Sequence, residues 1–218
     1  MNIIENISSD DVRASLDKWQ YKTDEILDAL VIGLKMAKGE CKYNDSVILG
    51  LVATIESGPS LAVNLASAIS HVLVEKHVGA ESLLRYLYKS KSVQGRIGTL
   101  FCLAPRLSDD YLREILACLI SDKSKKVREM TVDWIGRNGK KQFLPLLNIA
   151  MEDEGDIVMK NYIAKEIALL SNGYHVSRED GAIYVTVASP AGIVGGYFND
   201  SNGGILTDKE IVEAFLTK

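Results

Sequence analysis

The chain has 218 residues, enough for one sizeable domain with a modest appendage and for a core that folds without covalent staples. Its 25 Lys and Arg against 29 Asp and Glu leave a formal net charge of -4, which argues against a protein that tracks phosphates along a nucleic acid. Cys41, Cys102 and Cys118 are odd in number and widely spaced, which excludes a disulfide framework and makes a reducing cytoplasm the expected setting. The opening MNIIENISSDDVRASL carries neither a basic leader nor a long apolar run, so no secretory signal is expected. The oily stretches ILDALVIGL and VILGLVATI are too short to cross a bilayer and belong in a core; Cys102 and Cys118 lie in similar apolar surroundings, where a thiol serves as a small hydrophobe. From Ser9 to about Leu170 apolar residues recur at spacings of three and four. Breakers at Gly39, Ser57 to Ser60, Gly79, Ser90 to Ser92, Ser108, Ser121 to Ser124, Gly139 and Glu154-Gly155 divide this stretch into about ten short helices. In the tail, Ile183, Val185 and Val187 alternate with Tyr184, Thr186 and Ala188 as in a half-buried strand, Pro190 to Gly192 turn the chain, and IVGGYF returns, which predicts a β-hairpin. A last helix begins at Thr207, with Glu210 in capping-box position and Ile211, Phe215 and Leu216 as its inward stripe.

A repeat runs through the helical part. Shifting the segment from Tyr111 to Gly136 by 32 residues lays Tyr111 on Phe143, Leu112 on Leu144, Ile115 on Leu147, Leu119 on Met151 and Asp122 on Glu154. The same shift lays Val127 on Met159, Arg128 on Lys160, Thr131 on Ile163, Ile135 on Ile167 and Gly136 on Ala168, so one offset serves two helices and their turn. A weaker copy precedes it, with Val93, Ile97 and Phe101 in the places of Val127, Thr131 and Ile135.

The stretches YLREILACLISDKSKKVREMTVDWIG and FLPLLNIAMEDEGDIVMKNYIAKEIALL resemble HEAT repeats. In that family a first helix with a Leu-Pro-Leu-Leu-like face leads through an acidic turn to a second helix beginning Val-Arg. Leu144, Pro145, Leu146 and Leu147 match the first pattern; Asp122, Val127, Arg128 and Ile135-Gly136 match the second. Met159-Lys160 depart from Val-Arg, and Gln94 stands where the earlier copy should carry its arginine. The resemblance implies a mainly α fold: a short right-handed α-solenoid of HEAT-like hairpins over residues 1–172, capped by the C-terminal β-hairpin and final helix of residues 173–218. Stacking is the physical expectation, because a two-helix hairpin cannot cover its own apolar side.

Each candidate for chemistry has a simpler structural account. The cations Lys123, Lys125, Lys126 and Arg128 interleave with acids, Asp133 and Arg137 stand four apart, and a solvated face with local ion pairs explains them. Val127, Met130, Thr131, Trp134 and Ile135 form the inner stripe of that helix; the matching HEAT arginine implies a structural role for Arg128. Some HEAT-like proteins of this length are glycosylases for alkylated DNA bases, whose chemistry needs a carboxylate among aromatic residues. Asp133 and Trp134 are adjacent and diverge by about 100° on a helix, so they cannot share a pocket. FNDSNGGILTDKE is similar to a calcium loop through Asp200, Asn202, Gly203 and Ile205, but Phe198 and Lys209 occupy the first and twelfth ligand positions. His71, His77 and His175 lack zinc spacing, and no Gly-x-Ser-x-Gly elbow occurs. Glu152, Asp153, Glu154 and Asp156 suit the positive end of the helix that follows them.

The expectation is therefore a non-catalytic protein binder without metal or cofactor and without a membrane partner. Glu129, Asp133, Asn161 and Lys165 are its expected contact residues, because the 32-residue shift sets Glu129 beside Asn161 and Asp133 beside Lys165. The small acidic build resembles bacterial immunity proteins, which neutralise a toxin by covering it, and implies a basic toxin as partner. The alternative is a nucleic-acid-binding protein or alkylation-repair glycosylase using Lys123 to Arg128 and Lys140-Lys141.

Overall fold

The computed structural model describes residues 3–18, 24–104, 107–138, 140–179, 181–189, 192–199 and 206–217. A short helix α1 (Ile3–Asn6) precedes the periodic stretch, and the expected helices form within it: α2 (Ser9–Lys18), α3 (Asp24–Lys38), α4 (Asp45–Ser57), α5 (Ser60–Glu75), α6 (Ala80–Tyr88) and α7 (Val93–Cys102). They continue with α8 (Asp109–Ile120), α9 (Lys125–Asn138), a 3-10 turn at Lys141–Phe143, α10 (Leu144–Asp153) and α11 (Ile157–Asn172). The starts of α4, α7, α8 and α11 follow from side-chain caps, each supplying an acceptor to an otherwise unpaired N–H of the first turn, whereas α5, α6 and α10 begin at Pro59, Gly79 and Phe143 without one. Asn44 accepts from the Ser46 amide at 2.9 Å, and Ser108 from that of Tyr111 at 3.3 Å. The acidic run expected to cap does so: Asp156 accepts from the Met159 amide at 2.9 Å.

The turns before α7, α9 and α11 share one construction. Ser90, Asp122 and Glu154 each accept, through the side chain, the amide of the residue two further on, at 2.9, 2.8 and 3.1 Å. The helices then start at 93, 125 and 157, so the 32-residue offset holds across all three. Arg96 Nη1 donates to the Ser90 carbonyl at 2.9 Å, and Arg128 Nη1 to the Asp122 carbonyl at 2.8 Å, again six residues back in each case. This corrects the alignment of the earliest copy. Arg96, rather than Gln94, stands in the place of Arg128, and buried Thr99 in that of buried Thr131, whereas Phe101, matched above to fully buried Ile135, is 54% exposed.

The chain divides into two compact units, Met1–Met130 and Thr131–Lys218. In the first, α3, α4 and α5 pack on one another, and α7 lies against α4, α5 and α6. Leu30, Leu34, Ile48, Leu51, Ile55, Ile69 and Leu73 fill the space between them and are fully or almost fully buried. Close approach of α7 to α4 depends on Gly98, where an added Cβ would run into the Cγ2 of buried Ile55. Gly98→Ala is therefore expected to cost about 1–3 kcal/mol by overpacking, read as a lower denaturation midpoint with an unchanged m-value. Cys102 is buried as expected, with its thiol pushed up to about 12 by desolvation. Cys118 is exposed instead, because it falls on the solvent side of α8 between buried Leu116 and Leu119.

The second unit ends in a sheet rather than a simple hairpin. Gly173, at φ 83°, closes α11 and turns the chain into β1 (Tyr174–Glu179), which pairs antiparallel with β2 (Ala182–Ser189), itself paired antiparallel with β3 (Gly192–Phe198). The extra strand pairs Glu179 with Ala182, and Gly181, just before β2, stands at φ 80°, a conformation that glycine adopts readily. The predicted alternation of β2 is only partly a division between core and solvent. Val185 is buried and Ile183 and Val187 pack beside it, yet Thr186 on the opposite face is also buried, with its hydroxyl unpartnered. Helix α12 (Asp208–Leu216) carries the expected capping box between Thr207 and Glu210. Its inward residues are Ile211, Val212 and Phe215, whereas Leu216 is 62% exposed, five residues and so about 140° round the helix from Ile211.

Gly139, Pro190 and Ala191, expected to stop α9 and turn the hairpin, lie outside the described residues, as do Asp200, Asn202, Gly203 and Ile205 of the calcium-like pattern. Phe198 of that pattern belongs to the apolar core of the sheet. No described helix is long and apolar enough to cross a membrane.

Candidate functional site

The second unit contains a cleft of about 810 Å³. Asp133, Gly136 and Arg137 reach it from the last turns of α9, and Tyr162, Lys165 and Glu166 from α11. Leu169 and Leu170 with Ala188 and Ile193, at the β2–β3 end of the sheet, supply apolar walls. Helical spacing explains the grouping: 133 and 137, and 162, 165, 166 and 169, lie three or four apart on one side of their helices.

Two of these residues form a local ion pair. Arg137 Nε donates to Asp133 Oδ1 at 2.9 Å, the spacing expected from the sequence, with the guanidinium side chain 73% exposed. The Tyr162 hydroxyl donates to the same Asp133 oxygen at 3.5 Å. Burial, helped by the charges of Asp133 and Glu166, raises the Tyr162 phenol well above its ordinary value, so it remains a donor across the physiological range.

Glu166 is the unusual member. It is 6% exposed, lines the cleft, and among the described residues none donates a hydrogen bond to it. Gly136 makes room for it, since a Cβ there would overlap the Glu166 carboxylate. Desolvation raises the Glu166 carboxyl above its ordinary value; Lys165 and Arg137 oppose that shift, and Asp133 reinforces it. A carboxyl whose folded pKa exceeds its unfolded value binds its proton more tightly in the native state, so stability falls as pH rises through the window above 4.5. Glu166→Gln is accordingly expected to raise the melting temperature at pH 7. The gain over wild type should shrink toward zero as pH is lowered to 4.5, as paired thermal melts across that range would show.

Of the four contact residues expected from the sequence, the cleft brings together Asp133 and Lys165. Glu129 lies one turn earlier on α9, 3.9 Å from Lys126, and Asn161 is exposed on α11 outside the cleft lining. Sequence reasoning passed over Glu166, Tyr162 and Gly136. A signal for Glu166 was present: Met159, Ile163, Glu166 and Leu170 follow the inward spacing of α11, and a carboxylate at such a position is out of place unless something uses it. The cation cluster before α9 is engaged internally, with Lys126 near Glu129 and Arg128 on the Asp122 carbonyl. Among the described residues no group of three His, Cys, Asp or Glu could hold a metal ion.

The arrangement therefore offers recognition groups: a largely buried carboxylate open to the cleft, a phenol, a rim of ion-paired charge and apolar walls. No family model, no curated protein and no solved structure matches the chain.

Proposed function

We propose that the chain is a non-catalytic protein-binding repeat protein, a short right-handed α-solenoid of HEAT-like hairpins closed by the sheet and α12. The observation that carries the repeat reading is the turn built the same way before α7, α9 and α11, with its side-chain acceptor and the arginine six residues later in the first two. A stack of such pairs offers its partner an extended surface, and Asp133 and Lys165, with Glu129 and Asn161 on the same two helices, are the contact residues of this reading. The acidic balance of the chain favours a basic partner, and neutralisation of a basic toxin in the manner of an immunity protein is the specific role that fits it.

The test is affinity capture from the native lysate at low salt, followed by mass spectrometry. Retention of one basic protein by the wild type, with at least about tenfold loss on Asp133→Arg, is the expected result, since charge reversal at a contact typically costs that much. Retention of the purified chain on a DNA or RNA column that fades steeply between about 50 and 200 mM salt, as binding through phosphate contacts does, would replace this reading with the nucleic-acid one.

A further inference from the structure

We propose that the cleft around Glu166 binds an alkyl-guanidinium group, with the cation on the Glu166 carboxylate and the aliphatic stem along Leu169, Ala188 and Ile193. The inference is independent of the repeat-protein reading, because it rests only on residues of the second unit. An ionised carboxylate removed from water and given no donor destabilises the fold, and it is tolerated where a ligand supplies the missing hydrogen bonds. Glu166 approaches that description: it is 6% exposed, it faces a cleft, and no described residue donates to it, while its oxygens, unlike the enclosed Ser70 Oγ and Thr186 Oγ1, stay open to the cleft from which a ligand would reach them.

The occupant follows from the groups around the carboxylate. A planar fork of N–H donors matches a free carboxylate at both oxygens, which a single ammonium point charge does not. The cations nearby are largely committed: Arg137 to Asp133, and Lys141 to the Ser171 carbonyl at 3.4 Å. Lys165 lines the cleft without reaching ion-pair distance of Glu166. The last turns of both α9 and α11 border the cleft, and the partial negative charge of helix C-termini favours a cation. The absent side chain at Gly136 lets the Glu166 carboxylate lie against that backbone, which fixes one face of the carboxylate and leaves the cleft as the direction from which a ligand meets it. Apolar walls suit the methylene stem of such a group, which buries readily while its head is paired.

The guanidinium could belong to a free small molecule or to an arginine side chain of a protein, and the experiment separates the two. The full chain is titrated calorimetrically with n-butylguanidinium, with its neutral isostere n-butylurea, and with the capped tripeptide acetyl-Gly-Arg-Gly-amide. Saturable binding of at least one guanidinium probe, weakened about tenfold or more in Glu166→Gln and for the urea, is expected from loss of a charged hydrogen bond. A tighter tripeptide than butylguanidinium assigns the group to a protein side chain; the reverse assigns it to a small molecule. No saturable binding of either guanidinium probe, or equal binding of the urea, overturns the proposal. As a readout that needs no variant, the carboxyl 13C resonance of Glu166 should move with the same saturation curve in wild type, and a resonance that stays fixed also overturns it. Failure of the lysate capture with success here would remove the partner reading and leave this site standing.

Discussion

Arg96→Ala is expected to cost about 3–5 kcal/mol of stability, the range for removing one partner of a buried ion pair. Arg96 and Asp122 have side chains only 8% and 9% exposed, and their Nε–Oδ2 distance is 2.6 Å. Nη2 donates to the other carboxylate oxygen at 3.1 Å, so the pair is bidentate, and Nη1 donates to the Ser90 and Lys91 carbonyls at 2.9 and 3.1 Å. Removing the guanidinium strands a buried carboxylate and two carbonyls together. Asp122→Ala should be at least as damaging, because it strands the guanidinium and also removes the acceptor for the Ser124 amide in the turn before α9. Urea unfolding of both single variants and of the Arg96→Met, Asp122→Leu pair checks the argument. The double variant should recover much of the loss, since apolar groups of similar volume leave no buried charge unpaired. Single variants within about 1 kcal/mol of wild type, the level typical of an exposed pair, would mean that water reaches the bridge.

Phe198→Ala is expected to cost about 3–5 kcal/mol, the usual range for emptying an aromatic core site. Phe198 ends β3, pairs in register with Ile183, and is buried with Val185, Ile211 and Val212 while Phe215 packs alongside. This is the core that joins α12 to the sheet, and it has few residues to relax into the space. Hydrogen exchange should therefore quicken across 182–189 and 207–217 in the variant, while amides of α3 to α5 keep their protection. Uniform loss of protection in both units would show that they unfold as one. The result also bears on the calcium-like pattern, since a side chain that carries several kcal/mol of packing is committed to the core.

Much of the helical architecture was legible in the chain because its signals are short. Asn44, Ser108, Asp156 and Thr207 each cap a helix through residues no more than three positions away, and the apolar stripes repeat every turn. The Thr207–Glu210 box and the Asp133–Arg137 pair could be read for that reason. Strand β1 was missed although Asp180-Gly181 marked its turn, because Tyr174 to Glu179 alternates weakly in hydrophobicity and follows directly on a helix. The earliest copy reads two residues out of register in the sequence because its apolar residues at 93, 97 and 101 repeat every four positions, as 127, 131 and 135 do. The cap at Ser92 and the bond from Arg96 to the Ser90 carbonyl were the better guides.

The sequence by itself determined where the helices begin and end, the 32-residue spacing of their turns and the apolar alternation of β2, since each depends on neighbours along the chain. Only the tertiary structure decided that Arg96 would meet Asp122 across 26 residues, that Thr186 would be buried beside Val185, and that Glu166 would face a cleft over Gly136. Those outcomes depend on the angle and depth at which separate elements pack, and packing is the joint result of many side chains, none of which carries the answer in its own local pattern.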